Sequence, residues 1–162
     1  MRHKHLFLAI ALVCFAAGLP QAAAQEAFLS NEPDKAFVAA AIEAANGLLP
    51  QGRLLDGSPV APVTPEERRE GVIPGDAADL IVRLAADTAL AEFCQLDWKQ
   101  LSFRPIMRRE RARGLWSDRQ IAYIGILHGF VQGQFLRLLE RSEVCTAKHR
   151  RAVAEFFAEK QW

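Results

Sequence analysis

The residues most able to do chemistry in this sequence are few and widely spaced. Beyond residue 24, the histidines are His128 and His149 and the cysteines are Cys94 and Cys145. Convergence of both histidines with Cys145 would make a metal site, but neither His-Glu-x-x-His nor Cys-x-x-Cys-His occurs. A lone histidine on a helix is more often a polar residue satisfied within the fold than a ligand or base. We therefore expect no metal and no cofactor.

Motifs of nucleophilic and phosphoryl-transfer enzymes are also missing from the sequence. It contains no Gly-x-Ser-x-Gly, no Ser-x-x-Lys and no phosphate-binding loop. The adjacent carboxylates Glu66 and Glu67 follow Thr64-Pro65, where they complete a helix N-terminus rather than an acid–base pair. The sequence therefore predicts a protein that is not an enzyme.

A cluster of arginines is the clearest candidate for binding an anion or a partner. Its members are Arg104, Arg108, Arg109, Arg111 and Arg113, with the aromatic residues Trp98, Phe103 and Trp116 on either side. On a helix Arg104, Arg108 and Arg111 share one face. In an exported protein the relevant anions are lipid phosphates at a membrane surface or acidic protein surfaces, and we expect no nucleic acid. The alternative is a solvated face that the acidic half of the chain offsets.

Charge is balanced over the whole chain but not along it. Residues 26–97 hold 13 acidic against 5 basic side chains, a net charge of −8. Residues 98–162 hold 13 basic against 6 acidic side chains, a net charge of +7. Such asymmetry indicates either two halves that fold against each other and neutralise, or a basic face for an anionic partner. We favour neutralisation.

Three glycines recur at intervals of four within one apolar, helix-patterned stretch. They are Gly125, Gly129 and Gly133. Each glycine costs about 1 kcal/mol relative to alanine in a helix interior, so something must offset the loss. Close approach of a neighbouring helix within the molecule is the preferred explanation. A groove for a ligand or a partner helix is the alternative.

The first 24 residues have the layout of a secretory signal peptide. Residues 2–5 are basic, residues 6–17 form an uninterrupted apolar run, and Ala22-Ala23-Ala24 offers small residues for cleavage. We expect cleavage after Ala24 and a periplasmic or secreted product that begins at Gln25. The apolar run is shorter than the roughly 20 residues that span a bilayer. A lipid anchor at Cys14 or a retained helix is the alternative.

Removal of that leader would leave two cysteines in an oxidising compartment. Cys94 and Cys145 are then expected to form one structural disulfide, since no Cys-x-x-Cys redox motif is present. Two buried thiols or a redox pair are the alternatives.

Helix caps divide the chain into segments better than helix propensity does. Helix starts are predicted at Ser30-Asn31-Glu32-Pro33, Thr64, Asp76, Asp97, Ser117 and Cys145-Thr146, with a kink or restart at Pro105. The first helix is expected over residues 34–45 with Gly47 as its stop, and residues 47–63 are expected to form a linker or surface loop. No stretch alternates with period two. The prediction is an all-α bundle of four to six helices, with residues 25–63 as an N-terminal helix and loop and residues 64–162 as the helical domain.

The second half of the chain resembles, in layout, the HdeA-type acid-stress chaperones. The similarity consists of Phe93-Cys94, the aromatic-x-proline step Phe103-Arg104-Pro105, and a second cysteine about fifty residues later before an amphipathic helix. HdeA-type chains are shorter and have no counterpart to residues 26–89. The resemblance implies a periplasmic helical chaperone and supports the cysteine pair.

The same region is also similar to the Rap1a/Tai-type immunity proteins of type VI secretion. There the similarity is Tyr123-Ile124-Gly125 through Gly129, followed by Cys145 and a final helix. That family carries extra cysteines that this sequence does not have. The resemblance implies a specific inhibitor that binds one enzyme.

These observations predict an exported, non-enzymatic domain that binds another protein. The first hypothesis is a stress-responsive chaperone that acid loosens, because the acidic half would lose its charge and the basic half would repel itself. The second is an inhibitor or immunity protein of a periplasmic enzyme. The third is a small apolar ligand or lipid held beside the glycine-rich helix. The sequence leaves the oligomeric state open.

Overall fold

The structure is a computed structural model, and it describes residues 33–142 and 144–160. Six α-helices lie in these ranges: α1 (Lys35–Leu48), α2 (Pro65–Glu70), α3 (Gly75–Phe93), α4 (Arg104–Ala112), α5 (Asp118–Ser142) and α6 (Ala147–Glu159). These ranges hold no strand, only an isolated antiparallel bridge between Arg53 and Pro59. The all-α prediction is confirmed. The predicted signal peptide, residues 1–24, lies outside the described residues.

Helix α5 is the centre of the molecule, and α3 and α1 pack along it. On α3 the buried positions alternate large and small, with Ile81 and Val82 followed by Ala85 and Ala89. The small side chains let the two helix axes approach closely, and each buried branched side chain contributes about 1.5–3 kcal/mol through the hydrophobic effect. Helix α5 contributes residues such as Leu127 and Val131, which are completely buried.

Most of the predicted helix starts are present as caps. Thr64 and Glu67 form a reciprocal capping box with bonds of 2.9 and 3.1 Å at the start of α2. Ser117 and Gln120 do the same at α5, and Thr146 accepts a bond from the backbone N–H of His149 at α6. Each such cap stabilises its helix by about 1 kcal/mol.

The first helix departs from its predicted bounds. Asp34 is the N-cap and accepts a 2.7 Å bond from the Phe37 N–H, whereas Ser30, Asn31 and Glu32 lie outside the described residues. The helix runs through Gly47 to Leu48 and then tightens into a 3₁₀ turn, Leu49–Gln51. Helical hydrogen bonding and the burial of Leu49 override the glycine stop.

The segment 47–63, predicted as a linker or surface loop, is attached to the core at both ends. Leu49 is completely buried and Val60 nearly so. Arg119 on α5 donates to the carbonyl oxygens of Ala61 and Pro62 at 3.1 and 2.9 Å. Most of this segment is irregular, as expected of a surface loop, and its buried apolar side chains together with the bonds from Arg119 attach it to the core.

A disulfide joins Cys94, just after α3, to Cys145, just before α6, as predicted. Their Cα atoms are 5.3 Å apart, within the usual range for such a bond. Two further contacts join the α6 segment to α3 and to the residues just after α3. Arg150 donates to the carbonyl oxygen of Gln95 at 2.8 Å, and Lys160 pairs with Asp87 at 2.5 Å.

The glycine stripe on α5 does not make the close helix contact that the sequence suggested. A Cβ added at Gly129 would meet nothing within 4 Å in the part of the chain that the structure describes. At Gly125 the nearest atom would be Met107 Cε at 3.8 Å, and at Gly133 an Arg137 atom of the same helix at 3.7 Å. The prediction of tight intramolecular packing is wrong here because the stripe faces away from α1 and α3.

Replacing Gly129 by alanine should therefore stabilise the protein by about 0.5–1 kcal/mol, the ordinary helix-propensity difference. The matched change Gly71→Ala should destabilise by more than about 1 kcal/mol. Gly71 has φ +93°, and a Cβ there would lie 2.6 Å from the Ile73 carbonyl oxygen. Urea denaturation of both variants measures the two effects. A loss of stability in the Gly129 variant would show that something does pack on the stripe.

Candidate binding surface

The five predicted arginines divide into two sets on α4 and its C-terminal end. The side chains of Arg104, Arg108 and Arg111 are exposed and form no hydrogen bond or ion pair with any residue that the structure describes. Arg109 and Arg113 instead bind Glu110.

A π-helical turn, Lys99–Phe103, leads into α4 where Pro105, which has no N–H to donate, would otherwise break the hydrogen-bond pattern. The kink or restart predicted at Pro105 appears as this change from π-helical to α-helical hydrogen bonding, with Pro105 in the first turn of α4.

Glu110 is a buried carboxylate in the middle of this basic segment. It is only 2 % exposed. Arg109 Nε donates to its Oε1 at 2.9 Å, and Arg109 Nη2 lies 2.8 Å from the same oxygen without hydrogen-bond alignment. Trp116 Nε1 and Arg113 Nη1 donate to its Oε2 at 2.9 and 3.2 Å. Burial alone would raise the pKa of Glu110, but these hydrogen bonds and the two positive charges outweigh it and hold that pKa below its ordinary value.

Two adjoining cavities lie beside the unpaired arginines, and we call them together the arginine groove. The first, of about 230 Å³, is lined by Phe103, Arg104, Met107, Arg108 and Arg111. The second, of about 180 Å³, is lined by Arg53, Leu55, Phe103, Met107, Arg111, Asp118, Ile121, Ala122 and Gly125. Phe103, Met107 and Arg111 belong to both. The groove therefore has an apolar floor, formed by Phe103 and Met107, and a basic rim. Gly125 of the stripe has no side chain, which leaves the α5 side of the groove open.

A buried polar cluster lies under the π-helical turn, next to the groove floor. The His128 side chain is completely buried, and its ring contacts the Phe103 ring at 5.1 Å between centroids. Thr88 donates to the Leu84 carbonyl oxygen at 2.8 Å, so its hydroxyl oxygen is left to accept from His128 Nε2 at 3.0 Å and from Ser102 at 2.6 Å. This arrangement assigns the proton of neutral His128 to Nε2.

The other ring nitrogen of His128 is not satisfied. Nδ1 is buried and has no hydrogen-bond partner among the described residues. Burial lowers the pKa of His128 to about 4, and no charged neighbour contributes to the shift. The sequence interpretation of a satisfied polar histidine is thus half correct: one nitrogen is bonded and the other is not.

Only part of the charge asymmetry is neutralised between the two halves. Arg119 pairs with Glu67 at 2.7 Å and Lys160 pairs with Asp87, each joining the basic half to the acidic one. Within the described ranges no arginine of the cluster pairs with the acidic half. The prediction of mutual neutralisation is therefore not met at the arginine groove.

Sequence reasoning missed Glu110 and the partners of His128. Glu110 could have been noticed as the lone acidic residue inside a run of arginines, since a single carboxylate there must bind some of them. Thr88 and Ser102 carry no such signal, because the bonds of Thr88 to His128 and to Ser102 form only through the packing of α3 and the π-helical turn on α5.

Over the described ranges, no group of three or more histidine, cysteine, aspartate or glutamate side chains is arranged to hold a metal ion. None of the helices there is long and apolar enough to cross a bilayer. Comparison with models of known families, with curated proteins and with solved structures finds no match. Any function of this chain must therefore be inferred from its geometry.

Proposed function

We propose that this chain is an exported, non-enzymatic protein that binds other proteins and works as a stress-responsive chaperone in the periplasm. The observation that carries the proposal is the buried His128, whose Nδ1 would take up a proton in a position that offers no partner among the described residues. Acid would destabilise the packing of α3, α5 and the π-helical turn around it. Apolar helix faces, including Leu127 and Val131, would then become available to unfolded clients.

Protonation of carboxylates adds to this effect, with one exception. The Glu110 pKa lies below its ordinary value of 4.5, so the stability from its contacts is present above that pH and is lost as the pH falls through the folded-state pKa. Asp87 acts in the opposite direction. Burial raises its pKa despite the bond from Lys160, so its protonation at falling pH favours the folded form. Two sites thus favour acid loosening and one resists it.

Light scattering of an acid-sensitive client enzyme tests the proposal. At about pH 3, where acid-expanded states with exposed apolar surface form, an equimolar amount of the protein should suppress aggregation of that enzyme. At neutral pH it should have no effect, because the core is closed. Equal aggregation with and without the protein at acid pH would reject the chaperone function.

A specific inhibitor or immunity protein of a periplasmic enzyme is the second candidate. The observation that favours it is the arginine groove, which is already formed in the closed fold and so needs no unfolding to bind. Such a protein would form a complex of about nanomolar affinity with one partner at neutral pH. Affinity capture from a periplasmic extract, followed by calorimetry on any recovered enzyme, tests this candidate, and absence of a discrete partner rejects it.

A further inference from the structure

We propose that the arginine groove docks an acidic protein segment that inserts one apolar side chain onto the floor formed by Phe103 and Met107. This inference deepens the second candidate function and does not depend on acid loosening. The occupant is a peptide segment of a partner, with carboxylates on either side of a leucine-like or phenylalanine-like anchor.

The positive charge of the groove favours a partner segment that carries carboxylates. Arg104, Arg108 and Arg111 are exposed and unpaired within the described ranges, whereas Arg53 at the other edge donates only to the neighbouring Gly52 carbonyl oxygen at 3.3 Å. Asp118 is the single carboxylate among the lining residues. Four guanidinium groups against one carboxylate leave a positive rim, and a planar guanidinium binds a carboxylate with two parallel hydrogen bonds.

The apolar floor of the groove favours an apolar side chain of the partner, placed between those carboxylates. The two cavities hold about 230 and 180 Å³, and a cavity of about 150 Å³ is enough for a benzene-sized group. Met107 spans both cavities, and its unbranched thioether adapts to differently shaped side chains. Leu55 at the edge is 71 % exposed, and a bound segment would cover it.

A peptide fits these features better than the other occupants. A bilayer surface would meet the exposed guanidinium groups, but it would leave the recessed floor between α4 and α5 unfilled. A second copy bound through the same face would bring arginines against arginines, since a two-fold interface places identical surfaces together.

Selection from a displayed library of random peptides at neutral pH tests the proposal without knowledge of the natural partner. The enriched peptides should share aspartates or glutamates around one leucine or phenylalanine. A labelled peptide of that consensus is then measured by fluorescence anisotropy against the full-length mature protein.

Four variants form two matched pairs. Arg108→Glu with Arg111→Glu reverses the rim, and Arg83→Glu with Arg141→Glu makes the same charge change at exposed positions outside it. Gly125→Leu fills the second cavity, and Gly129→Leu adds the same side chain one turn away at a position outside the lining. Each groove variant should weaken peptide binding by about tenfold or more, and each control should stay within about twofold.

Several outcomes would overturn the proposal. Enriched peptides without acidic residues, or equal binding by groove and control variants, would exclude this docking mode. Binding of phosphatidylglycerol vesicles that the rim reversal abolishes, with no peptide selected, would assign the groove to a membrane surface. Concentration-dependent dimerisation that Gly125→Leu abolishes would assign it to a second copy. Every one of these measurements is made at neutral pH. A failure of the docking proposal is therefore distinguishable from a failure of the acid chaperone proposal.

Discussion

Replacing both Cys94 and Cys145 by alanine is expected to lower the free energy of unfolding by about 4 kcal/mol. The bond closes a loop over a sequence separation of 51 residues, and the unfolded chain gains the conformational freedom that the closed loop denies it. Alanine is used because Cys94 is only 2 % exposed and a serine hydroxyl there would be buried. Chemical denaturation monitored by circular dichroism measures the loss.

The neighbouring change Val144→Ala is the control, because this side chain is 75 % exposed and should contribute less than about 0.5 kcal/mol. Reduction of the wild-type protein should reproduce most of the effect of the double substitution. If the double variant unfolds at the same denaturant concentration as the wild type, the disulfide does not constrain the unfolded chain.

The second large effect is a loss of about 3 kcal/mol of stability on acidification, caused by His128 alone. Its pKa is about 4 in the folded protein, against the ordinary histidine value of 6.5 that applies to the unfolded chain. Between these two pH values the unfolded state binds more protons than the folded state. The free energy of unfolding therefore has its full value above pH 6.5 and falls as the pH drops toward 4. Unfolding curves recorded over this pH range measure the slope.

His128→Gln should remove that slope, since a glutamine amide can still donate to Thr88 but does not titrate in this range. Its stability at neutral pH is expected to be lower than that of the wild type, so the quantity compared is the change of stability with pH. The control is His149→Gln, the same substitution on α6 and outside the buried polar cluster, and the pH slopes of the two variants are compared. A His128→Gln variant with an unchanged slope would place the acid sensitivity elsewhere.

Local features of the fold were predictable because local chemistry determines them. Thr64 with Glu67 and Ser117 with Gln120 identify helix starts through bonds between residues three apart. The pairing of Cys94 with Cys145 followed from the even number of cysteines beyond residue 24, and the all-α class followed from apolar spacing and the absence of period-two alternation.

Features that depend on packing were not predictable. The spacing of four residues places Gly125, Gly129 and Gly133 on one face of a helix. The total apolar area on each side of α5, however, decides which of its faces α3 and α1 cover. The arginine cluster was found as a set, yet its division depends on Glu110, because one buried carboxylate can bind Arg109 and Arg113 but cannot reach the rest. The groove itself depends on Met107 and Gly125 lying opposite each other across two helices.

The bond from the Trp116 indole to Glu110 gives the molecule an optical reporter beside its basic face. The sequence holds three tryptophans, and replacing Trp98 and Trp162 by phenylalanine would leave Trp116 as the sole long-wavelength emitter. Its indole is bonded to a carboxylate and lies 5.8 Å from the Arg113 guanidinium. Emission intensity and wavelength would then register, in one cuvette and without any label, both occupancy near α4 and the protonation of Glu110.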